Sequence, residues 1–342
     1  METINVGLIG MGKMGILHGG ILCSLDGVVP KSLADSETRL HKFVSGIMPQ
    51  VNIYSDYHEM LEKEKLDLVY ITTPTRMHPD MAEACADRGI NFFVEKPLGI
   101  SCEQCVPLLK KVRQKPVINM VGYCYHFIET FMRAKEIIEQ NTIGDLIYLN
   151  SYSYISQALS LKGKHASDSV KETGGVLNQL ATHLVDNLLW LFGDVAEVQG
   201  SVKSYYSTDV EDFAHAHLRF ESGLEGYLDT SWSLRGYRLP EIRIEVEGAK
   251  GKLTVTESYV RTYLDKTGDW VTNYNQDLYQ GVVIDVGGPF FTREDQHMVT
   301  SVMTGTNTGL DVEYAYRVQM VTDAIYESAN TGRRTEVSSF GA

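Results

Sequence analysis

Short apolar runs alternate with amphipathic segments over the first third of the chain. Residues 4–9 (Ile-Asn-Val-Gly-Leu-Ile), 28–34, 67–72, 92–95 and 117–121 have the composition of strands covered on both faces. Between them, residues 14–25, 57–63, 79–88 and 101–113 predict helices, the first with Leu17, Ile21, Leu22 and Leu25 on its inner side. Strands spaced by short helices predict a parallel, doubly wound α/β sheet over residues 1–122. From 123 onward the pattern changes. Residues 129–140 and 176–192 predict helices and 146–155 a strand. Alternating segments near 195–206, 213–220, 223–234, 240–247, 251–256 and 259–264 then predict successive strands, and helices at 293–304 and 312–330 close the chain. Turns at Glu221-Ser222-Gly223, Gly236 and 247–251 join those strands into an antiparallel sheet. Residues 123–342 are therefore expected to form a second, α+β domain.

Candidate chemistry gathers where the predicted strands stop. The first strand runs into Gly10-Met11-Gly12-Lys13-Met14-Gly15, a GxGxxG between a strand and a helix. In that context Gly10 permits the tight turn, Gly12 lets backbone approach a pyrophosphate, and Gly15 lets helix and strand pack closely. The N–H groups at the helix start, through Lys13 and Met14, face the anion. The second strand ends at Asp35, 20 residues beyond Gly15, where a carboxylate would bind a ribose 2′-hydroxyl and repel a 2′-phosphate. NAD is thus preferred to NADP, with Arg39 one helical turn on as the opposing feature; Asp35 also suits a plain helix N-cap with Ser36. Thr72, Thr73 and Pro74, with His78 shortly after, suit either a loop laid along a dinucleotide or an ordinary turn.

Phe92-Phe93-Val94 leads straight into Glu95-Lys96-Pro97. Proline has no N–H for a sheet ladder, so the strand must stop there and Lys96 stands at a strand's carboxyl end. In an open α/β sheet that edge lines the ligand crevice. A lone lysine at such a place is either a solvated strand terminus or a group aimed into a site.

Composition narrows the classes. A formal charge of −13, with no long basic run, argues against nucleic acid and membrane surfaces as partners. Lys13, His18 and the glycines of 6–25 argue against a membrane span, and no basic n-region or cleavage site precedes the first strand. Five cysteines are too sparse and odd for a secreted disulfide framework, which points to a reducing cytoplasm. Cys102 and Cys105 form a lone CxxC inside a predicted helix; no second pair completes a zinc site, and no metal is expected.

In the second domain, Gln179, His183, Asp186 and Trp190 fall on one stripe of helix 176–192, opposite Leu177, Leu180, Leu184, Leu188 and Leu191. That helix is nearly free of charge, so its polar stripe is expected to be buried and hydrogen-bonded rather than solvated. Tyr154 lies in an aromatic strand and Trp232 at a strand end, each suited to a sugar ring or to core packing. The segment 156–173 lacks a period, carries Lys164 and His165, and has the length of a lid or binding loop.

The opening GLIGMGKMG, the acid at 35, TTPTRMH at 72–78, FFVEKPLG at 92–99 and GGVLNQLATHLVDNLLWLFG at 174–193 occur in the order of the Gfo/Idh/MocA-type oxidoreductases, and DAIYESANTGRRTEV resembles that family's closing helix. The resemblance spans the chain. It implies a Rossmann domain, an α+β domain with a large open antiparallel sheet, a tightly held nicotinamide dinucleotide, pyranose- or polyol-like substrates, and homodimers or homotetramers built on the sheet. It makes Lys96 and His183 the proton-transfer residues, with Glu95 fixing the strand end. Two departures stand out: Gln179 occupies the place where alcohol-oxidising members have Asp, and Cys124 and His126, flanking Tyr125, stand where many have Asn and Arg. The expected activity is NAD(P)-dependent hydride transfer at a ring carbon of a sugar, sugar nucleotide or cyclic polyol. The alternatives are a glycoside hydrolase that oxidises its substrate transiently and a non-catalytic dinucleotide sensor.

Overall fold

A strand that is apolar on both faces is satisfied only inside a covered sheet, and in the computed structural model such strands form the centre of a six-stranded parallel sheet. The six are β1 (Ile4–Ile9), β2 (Val28–Ala34), β3 (Asn52–Tyr54), β4 (Leu68–Ile71), β5 (Asn91–Val94) and β6 (Asn119–Val121), in the order β3-β2-β1-β4-β5-β6. Leu68 to Ile71 and Phe92 to Val94 are wholly excluded from solvent. The strand order reverses between β1 and β4, the point at which a doubly wound sheet opens a crevice at its carboxyl edge. The connecting helices are α1 (Lys13–Leu22), α2 (Thr38–Ile47), α3 (Tyr57–Lys63), α4 (His78–Asp87) and α5 (Cys102–Gln114). The first helix stops at Leu22 rather than 25, short of the turn at Gly27, whose φ is +79°. The structure describes residues 3–156, 174–282, 285 and 287–342, so Lys164 and His165 lie outside the described residues, as does the side chain of Arg39.

The chain forms two compact units. The first is Met1–Gly99, Glu103–Cys124 and Gly281–Tyr316; the second is Ile100–Cys102, Tyr125–Gln280 and Arg317–Ala342. The path is less simple than one boundary after residue 122, because a late segment returns to the Rossmann sheet: the Val121 amide donates to Leu310 O at 2.8 Å.

The second unit is built on nine strands: β7 (Leu146–Tyr154), β8 (Val195–Lys203), β9 (Phe213–Phe220), β10 (Glu225–Ser231), β11 (Glu241–Gly248), β12 (Gly251–Thr256), β13 (Tyr259–Leu264), β14 (Asp269–Tyr274) and β15 (Thr335–Glu336). Their order is β14-β13-β12-β11-β7-β10-β9-β8-β15. The sheet is mixed, not purely antiparallel: β7 and β10 run parallel, with Glu225 opposite Tyr148 and Ser231 opposite Tyr154. A parallel pair needs a long crossover, and the chain between Tyr154 and Glu225 supplies one. Ala214, Ala216, Leu218 and Phe220 turn inward from β9 while His215, His217 and Arg219 alternate outward. Helix α6 (Glu129–Glu139) belongs to this unit, and the helix expected over 176–192 is two, α7 (Val176–Gln179) and α8 (Ala181–Phe192), with Leu180 between them. Helices α9 (Asn275–Leu278), α10 (Pro289–Thr304) and α11 (Val312–Thr331) complete the described α-helices. None is long and apolar enough to cross a membrane.

Candidate active site

The carboxyl ends of neighbouring strands stay in step along one edge of the parallel sheet. The Gly10 amide donates to Ala34 O, that of Thr72 to Ile9 O, and that of Glu95 to Ile71 O, each at 2.9 Å. After β1 the chain turns through Gly10, whose φ of +95° lies in the left-handed region. Gly15 is packed so tightly that a Cβ there would stand 2.1 Å from the Gly10 carbonyl oxygen. The Thr72 hydroxyl fastens the same carbonyl, donating at 2.8 Å. Gly12 is the opposite case, with no atom within 4 Å of its Cβ position, so its backbone can be approached closely.

A cavity of about 490 Å³ opens over this edge, with Gly10, Met11, Gly12, Asp35, Ser36, Glu37, Thr72, Thr73 and Pro74 in its walls. Asp35 is held there by two amides, Met11 N–H on one oxygen at 2.6 Å and Glu37 N–H on the other at 2.7 Å. The carboxylate therefore does not cap α2, which starts after Glu37 without a side-chain cap. Lys13 is exposed and Met14 half-buried in the first turn of α1, and neither lines the cavity. The open backbone at Gly12, an α1 N-terminus without a side-chain cap, and a fixed acid on the wall fit the pyrophosphate and ribose of a dinucleotide.

Beside this edge, Glu95, Lys96 and Pro97 leave β5. Lys96 is half-buried; burial pushes its pKa below the usual lysine value, while Glu95 and the Cys124 thiol pull the other way without cancelling it. Glu95 accepts the Lys96 backbone N–H at 3.0 Å. His78 is buried, with Nδ1 2.8 Å from Pro97 O and Nε2 2.7 Å from Thr73 O. It pins two strand-end segments together instead of lining the cavity.

The second unit brings its own candidates together. Gly174 and Gly175 lead into α7, and a Cβ on Gly175 would overlap the Glu211 carboxylate at 1.9 Å. That carboxylate accepts Leu177 N–H at 3.1 Å and Tyr326 O–H at 2.7 Å, satisfying the helix start. On α8, His183 is half-buried and packs on the Tyr125 ring, with centroids 4.9 Å apart. The Tyr125 hydroxyl donates to Glu257 at 2.9 Å, and burial pushes the Glu257 carboxyl up to about 7. Asp186 is wholly buried and takes His126 Nε2 at 2.9 Å, while Trp190 stacks on the same imidazole at 4.0 Å. The expectation of a buried stripe holds for Asp186, while Gln179, His183 and Trp190 are only partly buried. Gln179 ends α7 and remains partly exposed. Tyr154 stacks on Tyr152 at 4.4 Å in an aromatic column that includes Tyr237, and Trp232 is half-buried.

His18, Asp295, Glu211 and Glu257 escaped the sequence reading. His18 left one signal, a histidine three residues before Ile21 on the buried stripe of α1. The others become visible only when distant segments meet.

Residues 4–123 match the family described as "Oxidoreductase family, NAD-binding Rossmann fold", and residues 131–254 match the "GFO/IDH/MocA C-terminal domain". A myo-inositol 2-dehydrogenase of Thermotoga maritima is 28% identical over 79% of this chain and 81% of its own length. A levoglucosan dehydrogenase of Pseudarthrobacter phenanthrenivorans is 23% identical over 96% and 97%. A solved levoglucosan dehydrogenase in complex with NADH and levoglucosan superposes with a TM-score of 0.89 at 21% identity, over 98% of this chain and all of that one.

Proposed function

Because the chain belongs to the GFO/IDH/MocA oxidoreductase family, we propose that it passes a hydride between NAD and a ring carbon of a sugar, sugar nucleotide or cyclic polyol, with Lys96 and His183 handling the proton. The observation that carries this reading is Lys96, a desolvated lysine with a lowered pKa on the strand edge beside the glycine-walled cavity. A neutral amine can take the hydroxyl proton of an alcohol being oxidised, and its ammonium form can return one to a ketone being reduced. Bound NAD supplies the hydride acceptor. Gly10, Gly12 and Gly15 shape the pyrophosphate turn, Thr72, Thr73 and Pro74 the opposite wall, and Asp35 selects the 2′-hydroxyl of NAD over the phosphate of NADP. Gln179 can hydrogen-bond a substrate hydroxyl but cannot take a proton, so the acid–base work rests on Lys96 and His183.

The relatives named for myo-inositol and levoglucosan support a ring-polyol or sugar substrate. Tyr125, His126 and Trp232 are the candidates for ring contacts, with Asp186 holding His126. A homodimer or homotetramer through the nine-stranded sheet is supported by half-exposed Tyr148 and Tyr227, packed side by side on it. The test is a panel of inositols, anhydro sugars, aldoses and sugar nucleotides with purified enzyme and NAD, read at the NADH band. Net NADH with a keto product supports the proposal. Free sugar without net NADH supports the hydrolase, and ligand binding without turnover supports the sensor.

A further inference from the structure

Behind Glu95 and Lys96 lies a buried cluster that the proposed reaction does not use. His18 on α1 is wholly excluded from solvent, among Phe93, Tyr70 and Phe291 with ring centroids at 5.0, 5.7 and 6.0 Å. Its Nδ1 lies 2.8 Å from Asp295 Oδ1 on α10, and its Nε2 lies 3.0 Å from Glu95 Oε1. A neutral imidazole has one N–H and one lone pair, so it can donate to only one of two carboxylates. Both contacts become hydrogen bonds when the ring is an imidazolium or when one acid holds a proton. Burial pushes His18 down, but Asp295 and Glu95 together carry it well above its usual value. Burial also pushes Glu95 up, yet His18, then Lys96 and His78, bring it below the usual carboxylate range. Burial raises Asp295. The state in best agreement with these directions is an imidazolium paired with an ionised Glu95.

Glu95 then passes the constraint on, because its other oxygen accepts the Lys96 amide at 3.0 Å. An unbroken line of hydrogen bonds runs from α10 through His18 and Glu95 to the backbone of the lysine. We propose that His18 is a positioning residue for Lys96: held between Asp295 and Glu95, it fixes the Glu95 carboxylate under the lysine and balances that negative charge beside the lysine's ammonium. This rests on the reading of Lys96 as the proton carrier. The other titratable groups facing the cluster are Glu294 and Tyr70, both buried against Asp295 and His18, with His78 and Cys124 near Lys96.

Removing the ring's charge leaves Glu95 unbalanced, which favours the ammonium form of Lys96. The lysine's pKa then rises, and the acid limb of alcohol oxidation moves to higher pH. The experiment uses His18→Gln in the NAD-loaded enzyme, and reads Lys96 directly as the pH dependence of its acylation by peptide mass spectrometry. Alongside it runs the pH profile of kcat with the substrate identified by the panel. The expected result is a rise of about one pH unit in both midpoints, with NAD affinity within about twofold of wild type. An unmoved Lys96 midpoint, with kcat lowered evenly at every pH, overturns the proposal and leaves His18 a packing residue. A shifted acylation midpoint with an unshifted kcat profile sustains the hold of His18 on Lys96 and overturns proton transfer by Lys96 instead. Should His18→Gln fail to fold, Asp295→Asn preserves the shape while weakening the imidazolium; a smaller upward shift is expected, and its absence overturns the proposal.

Discussion

The glycine edge of the parallel sheet and the His183 neighbourhood solve the problem of holding a ligand in opposite ways. At the edge the backbone does most of the shaping: Gly10, Gly12 and Gly15 act through the side chains they lack, and Asp35 is fixed by two amides. Around His183 the shape comes from side chains, with Tyr125 on Glu257 and His126 between Asp186 and Trp190. A backbone site leaves no room for an added atom where it is tightest, at Gly15, and its sensitivity to charge is confined to Asp35. A side-chain site tolerates volume changes better and is sensitive to protonation. The two regions are therefore expected to fail differently.

The largest effect is expected at Gly15. In Gly15→Val the new Cβ would meet the Gly10 carbonyl at 2.1 Å, so turn and helix must separate. NADH affinity, measured by fluorescence titration, should fall by on the order of 100-fold or the protein should not fold; binding within a few-fold would refute the close packing. In the other region, His183→Asn should lower kcat by roughly 100-fold with NADH affinity unchanged, as loss of a proton-transfer group does. A change confined to KM would make His183 a binding residue only. Asp35→Ser should narrow the preference for NAD over NADP by about tenfold, the worth of one charge-assisted hydrogen bond. An unchanged ratio in steady-state kinetics would remove Asp35 from cofactor selection.

The smallest effect concerns Glu257. Its carboxyl is raised to about 7 in the folded protein against an ordinary 4.5, so the folded state holds its proton longer than the unfolded state. Its contribution to stability is whole below the unfolded value and declines as pH rises toward 7. Glu257→Gln, which keeps a neutral acceptor for Tyr125, should gain in melting temperature relative to wild type between pH 5 and 8. A pH-independent difference would contradict the raised value.

The same contrast governs what could be read from the sequence. The edge is written in contiguous residues: strand, glycine turn, helix, and an acid 20 positions on. The strand limits at 4–9 and 28–34 match β1 and β2 residue for residue. The place of Lys96 just past the end of β5 was legible because Pro97 cannot continue the strand. Of the His183 stripe, the burial of Asp186 was legible, because a polar face without charge is a poor solvent face, but the stripe as a whole is only partly buried. Its partners were not legible. His126 meets Asp186 across 60 residues and Tyr125 meets Glu257 across 132, and no local period encodes either pairing. Asp295, 277 residues from His18, was hidden for the same reason. The parallel pairing of β7 with β10 was missed because alternation sets the face of a strand and not its direction.

The most direct test of the central assignment is a single-turnover measurement of NADH formation from enzyme, NAD and a ring-polyol substrate across pH 6 to 10, in wild type and Lys96→Met. The predicted result is an acid limb below the usual lysine value in wild type, and a loss of about 100-fold or more in the variant while NAD still binds. Hydride transfer in Lys96→Met within a few-fold of wild type, with the acid limb in place, would contradict proton transfer by Lys96.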